Sequence, residues 1–167
     1  DWNLVEFHGY STPHGSTYNS YLIMDDNITL VDGVKHYLSH ENIARIQSLT
    51  DFSKIKYIVV NHVEMDHSGN IPDLMKLAPQ ATIVTNSAGK MALEAHFDTA
   101  GWNYHIVKTG DSLNIGKRTL EFMTTPMLHW PDSMMTYVKE DKLLLSNDGF
   151  GQHYASDALF VKDAPFD

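Results

Sequence analysis

Cysteine is absent from this chain of 167 residues, which excludes disulfides, thiolate metal sites and a cysteine nucleophile. Its absence fits a reducing cytoplasm. Basic residues are scarce, with 12 Lys and Arg against 21 Asp and Glu, for a net charge of −9. No basic stripe exists to neutralise phosphates, which argues against a nucleic-acid partner. The same balance argues against an anionic membrane surface. Apolar runs extend over only a few residues, too short to span a bilayer, and no secretory signal pattern is visible. What remains is 43% hydrophobic and 20% charged, the composition of an ordinary globular protein with a sizeable core. No repeat or linker divides the chain, so residues 1–167 read as one domain. Ten histidines are a high count for this length.

Short punctuated runs outline the elements. Residues 18–24 and 28–31 are β-rich and separated by Asp25-Asp-Asn27, which predicts a hairpin. Ser39 caps a predicted helix carrying Ile43, Ile46 and Leu49, with Glu41 in its first turn. A strand over 55–60 follows. Ile71, Leu74, Met75 and Leu77 share a helical face that ends near Pro79. A short strand covers 81–85, and a helix starts at Ser87 and runs to about His96. Beyond it the pattern is strand-rich, at 104–107, 118–124, 134–138 and 142–146. Buried strands with intervening helices, then antiparallel strands, predict a mixed sheet or two sheets with helices outside.

Directly after the strand at 55–60 stand His62, Glu64, Asp66 and His67, four metal-binding side chains within six residues. They do not fit one face of a helix, because positions i, i+2, i+4 and i+5 point different ways. A tight loop leaving a strand can turn all four toward a common point. Two imidazoles and two carboxylates suit iron, manganese or zinc rather than Cu(I) or a zinc–thiolate site. Further ligands are expected at other strand ends. His129 follows the predicted strand 118–124, and Asp148 follows 142–146. Taken alone, His129 reads equally as a histidine packed beside Trp130, and Asp148 as a turn aspartate before Gly149.

The pattern His62-x-Glu64-x-Asp66-His67, then His129, then Asp148, resembles the metallo-β-lactamase-like domain of flavodiiron proteins. These A-type flavoproteins reduce oxygen or nitric oxide. The likeness extends through Phe7-His-Gly-Tyr10, Thr17-Tyr-Asn19, Met127-Leu-His-Trp-Pro-Asp-Ser-Met134 and Ser146-Asn-Asp-Gly-Phe-Gly-Gln152. Glu64 is its specific element, since hydrolases of the superfamily usually carry histidine there. A carboxylate in place of a neutral imidazole favours harder, more oxidised ions and suits a redox-cycling iron pair. The resemblance implies an α/β (α+β) fold, the metallo-β-lactamase-like αββα sandwich. It implies two non-haem irons, with His62, Glu64 and His129 on one, Asp66 and His67 on the other, and Asp148 bridging. It also implies Asp32 as an acid supporting the ligand loop, against the alternative of a solvated turn acid before Gly33. His8 is implied as a distal-pocket histidine that hydrogen-bonds the gas, with His153 a weaker candidate.

Other expectations come from the same likeness. FMN is held by a flavodoxin-like domain, usually that of the second subunit in a head-to-tail homodimer. A rubredoxin-like carrier donates electrons, the substrate is O2 or NO, and the setting is cytoplasmic. This chain departs from the pattern in three respects. Against the pattern, it lacks a flavodoxin-like domain, begins after the expected N-terminal edge strand, and ends 19 residues after Asp148 without the family's further histidine ligand. It therefore reads as a partial diiron domain. Two rival functions use the same ligand types: a flavin-free diiron O2 sensor, and a dizinc hydrolase whose bridging hydroxide attacks a carbonyl. Glu64 argues against the hydrolase.

Overall fold

The computed structural model describes residues 4, 6–7, 10–151, 155–158 and 160–164. They fall into two units. The smaller is formed by the chain ends, Asp1–Tyr18 with Phe150–Asp167. It carries the antiparallel pair β1 (Glu6–Phe7) and β2 (Tyr10–Ser11) and a 3-10 turn at Val161–Asp163. Within it the Thr12 hydroxyl donates to the Leu4 carbonyl at 2.6 Å.

The larger unit, Asn19–Gly149, holds two sheets. In the first, β3 (Tyr21–Ile23) pairs antiparallel with β4 (Ile28–Val31), the predicted hairpin. Beside β4 lie β5 (Ile55–Val59), β6 (Thr82–Thr85) and β7 (Asn103–Ile106), all parallel to it. The crossovers carry α1 (Ser39–Gln47), the one-turn helix α2 (Met65–Ser68) with α3 (Ile71–Leu77), and α4 (Ser87–His96). Asn86 caps α4, its side-chain oxygen accepting from the Gly89 amide at 2.9 Å. The second sheet is antiparallel: β8 (Ser112–Asn114), β9 (Thr119–Thr124), β10 (Met134–Val138) and β11 (Leu143–Leu145), in spatial order 11-10-9-8.

The pleat divides the core. Leu30, Ile58 and Ile83 pack with Ile46 of α1, Ile71, Leu74 and Met75 of α3 and Leu93 of α4. Their immediate successors Val31, Val59 and Val84 point to the other face and meet Leu120, Phe122, Met134, Val138 and Leu145 of the second sheet. Helix, sheet and sheet are thus layered in that order, three of the layers of the expected αββα sandwich. The architecture also positions the chemistry. Parallel strands β4, β5 and β6 end on one edge, so Asp32, Asn61 and Asn86 emerge side by side. Three hydrogen bonds fasten that edge: Asp32 N to Val59 O, Val60 N to Val84 O, and Met134 N to Asn61 O, each 2.9 Å. The last brings the β9–β10 loop of the second sheet onto the segment that follows β5.

Candidate metal centre

Leaving β5, the chain bends at Asn61, passes through His62 and Val63, and enters α2 after its N-cap residue Glu64. Ser68 holds the turn, donating its hydroxyl to the Val63 carbonyl at 2.7 Å. The end of α2 is pinned to the neighbouring strand, since the Gly33 amide donates to the His67 carbonyl at 2.7 Å. A methyl group on Gly33 would collide with the side-chain oxygen of Asn70 and come within 3.0 Å of that carbonyl. Glycine is thus favoured by the Asn70 side chain, which the Val34 amide holds in that space at 2.9 Å.

Four side chains converge: His62, Glu64, His129 and Asp148 each bring one donor atom within 4.8 Å of all the others. Glu64 Oε2 lies 3.3 Å from His62 Nε2 and 2.9 Å from His129 Nε2. Asp148 Oδ2 lies 3.6 Å from His62 Nε2 and 3.8 Å from His129 Nε2. Its other oxygen, Oδ1, lies 2.8 Å from His67 Nε2, which is itself 3.4 Å from Asp66 Oδ2. The two oxygens of one carboxylate therefore face two separate groups of ligands.

The four side chains of the 62–67 segment thus divide into two groups, His62 with Glu64 and Asp66 with His67. His62 and Glu64 precede the helix, whereas Asp66 and His67 sit on α2. The helical advance per residue carries them to a second point. That second point is polar and unsatisfied. Asp66 Oδ1 and both ring nitrogens of His67 are buried without a hydrogen-bond partner, the 2.8 Å approach to Asp148 lacking the alignment of a hydrogen bond. Buried polar atoms left in this state are costly unless something else satisfies them. Three imidazoles and three carboxylates, with no sulfur, form a donor set that fits divalent iron, manganese or zinc.

Electrostatics follow from the crowding. Burial opposes the charged form of His67, but contact with Asp148 and the charges of Asp66, Asp148 and Asp32 outweigh it and hold the imidazolium up to about 9. Burial likewise opposes a charged His62, and the Asp132 carboxylate beside it reverses the sign, raising it above the usual histidine range. Burial would raise Asp148, and the neighbouring histidines, His67 foremost, draw it down instead.

Asp32 is fully buried behind these ligands, and burial pushes its carboxyl up. Its partners are asparagines rather than an imidazole. Oδ1 accepts from the Asn61 backbone amide at 2.7 Å, and Oδ2 accepts from the side chains of Asn61 at 3.0 Å and Asn147 at 3.1 Å. Asn61 and Asn147 each precede a ligand, His62 and Asp148, so one carboxylate ties both ligand loops together. Asp32 and Asn147 share left-handed backbone, with φ of 56° and 52°. Asp and Asn tolerate that conformation better than other L-residues do. Asp132, which the sequence reading passed over, does touch an imidazole: Oδ2 is 3.0 Å from His62 Nδ1 and accepts from the Val63 amide at 2.7 Å. Its one local signal is an acid three residues past His129, behind Trp-Pro. His8 and His153 lie outside the described residues.

Comparison with known proteins decides the family. Residues 17–166 match the model of the ODP family beta lactamase. The chain belongs to this family. It is 49% identical over 162 residues to a nitric oxide reductase of Moorella thermoacetica, covering 96% of this chain and 41% of that protein. It is 44% identical over 166 residues to the rubredoxin-oxygen oxidoreductase of Megalodesulfovibrio gigas, covering 99% of this chain and 41% of that protein. The crystal structure of the flavodiiron protein from Giardia intestinalis superposes with a TM-score of 0.94 at 43% identity, over 98% of this chain and 40% of that one. The flavodiiron resemblance and the fold class read from the sequence are borne out. The chain spans about 40% of the length of these relatives.

Proposed function

We propose that this chain is the dinuclear non-haem iron domain of a flavodiiron oxidoreductase that reduces O2 to water, NO to N2O, or both. The observation that carries the reading is the divided carboxylate of Asp148, one oxygen toward His62 and His129 and the other toward His67. In this reading His62, Glu64, His129 and Asp148 would hold one iron, and Asp66 and His67, with Asp148 again, would hold the second. Bound ferrous ions supply the gas-binding and electron-transfer chemistry, with four electrons and four protons per O2 or two of each per pair of NO molecules. The chain's own residues fix where that chemistry happens. Glu64 and Asp148 add negative charge that favours the more oxidised ion. His129 is half-exposed while His62 is buried, so the first site opens to solvent on the His129 side and is closed behind His62.

The reading carries further proposals for the parent protein. Electrons arrive from FMN bound elsewhere, in a head-to-tail homodimer, with a rubredoxin-like carrier upstream and in the cytoplasm. Among the described residues no helix is long and apolar enough to cross a membrane. The deciding experiment is anaerobic reconstitution with Fe(II), elemental analysis, and consumption of O2 and NO by the chain with a chemical reductant. Iron bound together with catalytic gas consumption supports the reading. Zinc taken up with iron refused moves the assignment to the hydrolase, and reversible O2 binding without turnover moves it to the sensor.

A further inference from the structure

Imidazole binds a metal through one nitrogen only when the other carries the proton, and the residue that accepts that proton's hydrogen bond decides which nitrogen is free. For His62 the structure shows where this decision is made. Nε2 faces Glu64 and Asp148 at 3.3 and 3.6 Å, and Nδ1 faces Asp132 Oδ2 at 3.0 Å. Asp132 is 3% exposed and is itself held from three directions. Its carboxylate also takes the Val63 amide at 2.7 Å. Its main-chain carbonyl accepts from the Asn86 side chain at 2.6 Å, and Asn86 is the residue that caps α4. Two residues on, the Met134 amide donates to the Asn61 carbonyl. A carboxylate fixed at both its backbone and its side chain imposes a direction on the ring it touches. Trp130, edge-on to the His62 ring with centroids 5.3 Å apart, restricts the ring's remaining rotation.

We propose that Asp132 is a positioning residue that locks His62 as an Nε2 ligand with its proton on Nδ1, and so sets the affinity of the site containing His129 without setting that of the site containing His67. This rests on the metal-site reading above. It separates the two buried acids behind the centre. Asp132 acts on one imidazole and hence on one site, whereas Asp32 holds Asn61 and Asn147 and hence the loops that feed both.

The experiment is a titration of the full chain with 113Cd(II), followed by cadmium NMR and by 15N–1H spectra of the histidine rings. In the unmutated protein a protected N–H is expected on His62 Nδ1 once cadmium is bound. Asp132→Ala should weaken the His62 site about 10- to 100-fold, the usual effect of removing such a partner, and leave the His67 site within error. Asp132→Asn keeps an oxygen acceptor and should fall between the two, with the Nδ1 proton retained but shifted. The Asn variant carries the test if the Ala variant does not fold. Equal weakening of both sites would make Asp132 an anchor of the loop and overturn the proposal. So would unchanged affinity, or a His62 proton on Nε2. Failure of the unmutated chain to bind cadmium at all would instead overturn the metal-site reading, and the proposal with it.

Discussion

Replacing Asp32 with alanine removes a carboxylate that serves three donors at once, and the structure sets the scale of the loss. The Asn61 backbone amide and the Asn61 side-chain amide lose their acceptors in buried surroundings, at 2.7 and 3.0 Å in the native chain. The Asn147 side chain, at 3.1 Å, is half-buried and finds water more readily. A buried donor left without a partner costs about 1–3 kcal/mol, so the two Asn61 groups account for roughly 2–6 kcal/mol. Asn61 cannot escape by rotating its amide, because its oxygen already accepts from Thr136 Oγ1 at 2.7 Å. Alanine at φ 56° adds about 1 kcal/mol of backbone strain that aspartate tolerates better. Relief of the cost of burying a carboxylate works the other way. The expected net loss is about 3–5 kcal/mol, a large share of the 5–15 kcal/mol that stabilises a typical domain. Urea unfolding of the metal-free chain, followed by tryptophan fluorescence, measures it. Cadmium titration of the same variant should show both sites weakened. A loss below about 1 kcal/mol would refute the view that Asp32 clamps the two loops.

The remaining predictions address the ligands and their support. Because the folded His67 lies at about 9 against an ordinary 6.5, its protonation stabilises the metal-free fold fully below pH 6.5, and this is lost as pH rises through 9. The shift corresponds to about 3 kcal/mol; urea midpoints from pH 6 to 10 should fall in the unmutated chain and fall less steeply in His67→Asn, where the raised His62 still contributes. Metal uptake at pH 7 should release a proton, because His67 must be neutral to bind; unbuffered titration with a pH indicator checks this. Asp148→Ala should lower metal stoichiometry at both sites and His129→Ala at one, read by elemental analysis after gel filtration. Gly33→Ala should cost about 1–3 kcal/mol in urea unfolding, since Asn70 and the end of α2 must shift to admit the methyl group.

Local pattern made the larger elements legible. The helix predicted from Ser87 to about His96 and the strand at 134–138 are observed with those bounds, because the start of one and the apolar run of the other are local signals. Strand β8 was missed: Ser112-Leu113-Asn114 has one apolar residue and takes its form from pairing with Thr119–Glu121. The one-turn helix α2 was missed because its residues Asp66, His67 and Ser68 show no apolar face. The six candidate ligands lie in two groups, His62, Glu64 and His129 on one side of Asp148 and Asp66 and His67 on the other. Asp132 was hidden because its meaning lies in a contact with His62, 70 positions away. Asp32 was noticed as an acid beside the ligand loop, yet its partners Asn61 and Asn147 carried no pattern that announced them.

Glu64 and His129, which meet at 2.9 Å, are 65 positions apart, and they come from loops of different sheets. Forming such long-range contacts requires that the intervening chain already be ordered. Time therefore enters the description of this centre. While the chain is being made, the 62–67 segment can offer passing ions only its own four of the six ligands. Tight capture waits until β10 and β11 have paired and docked. An ion taken up early would be held weakly and exchanged freely, so the choice of metal is made late, by the finished fold and by whatever ion the surroundings supply at that moment.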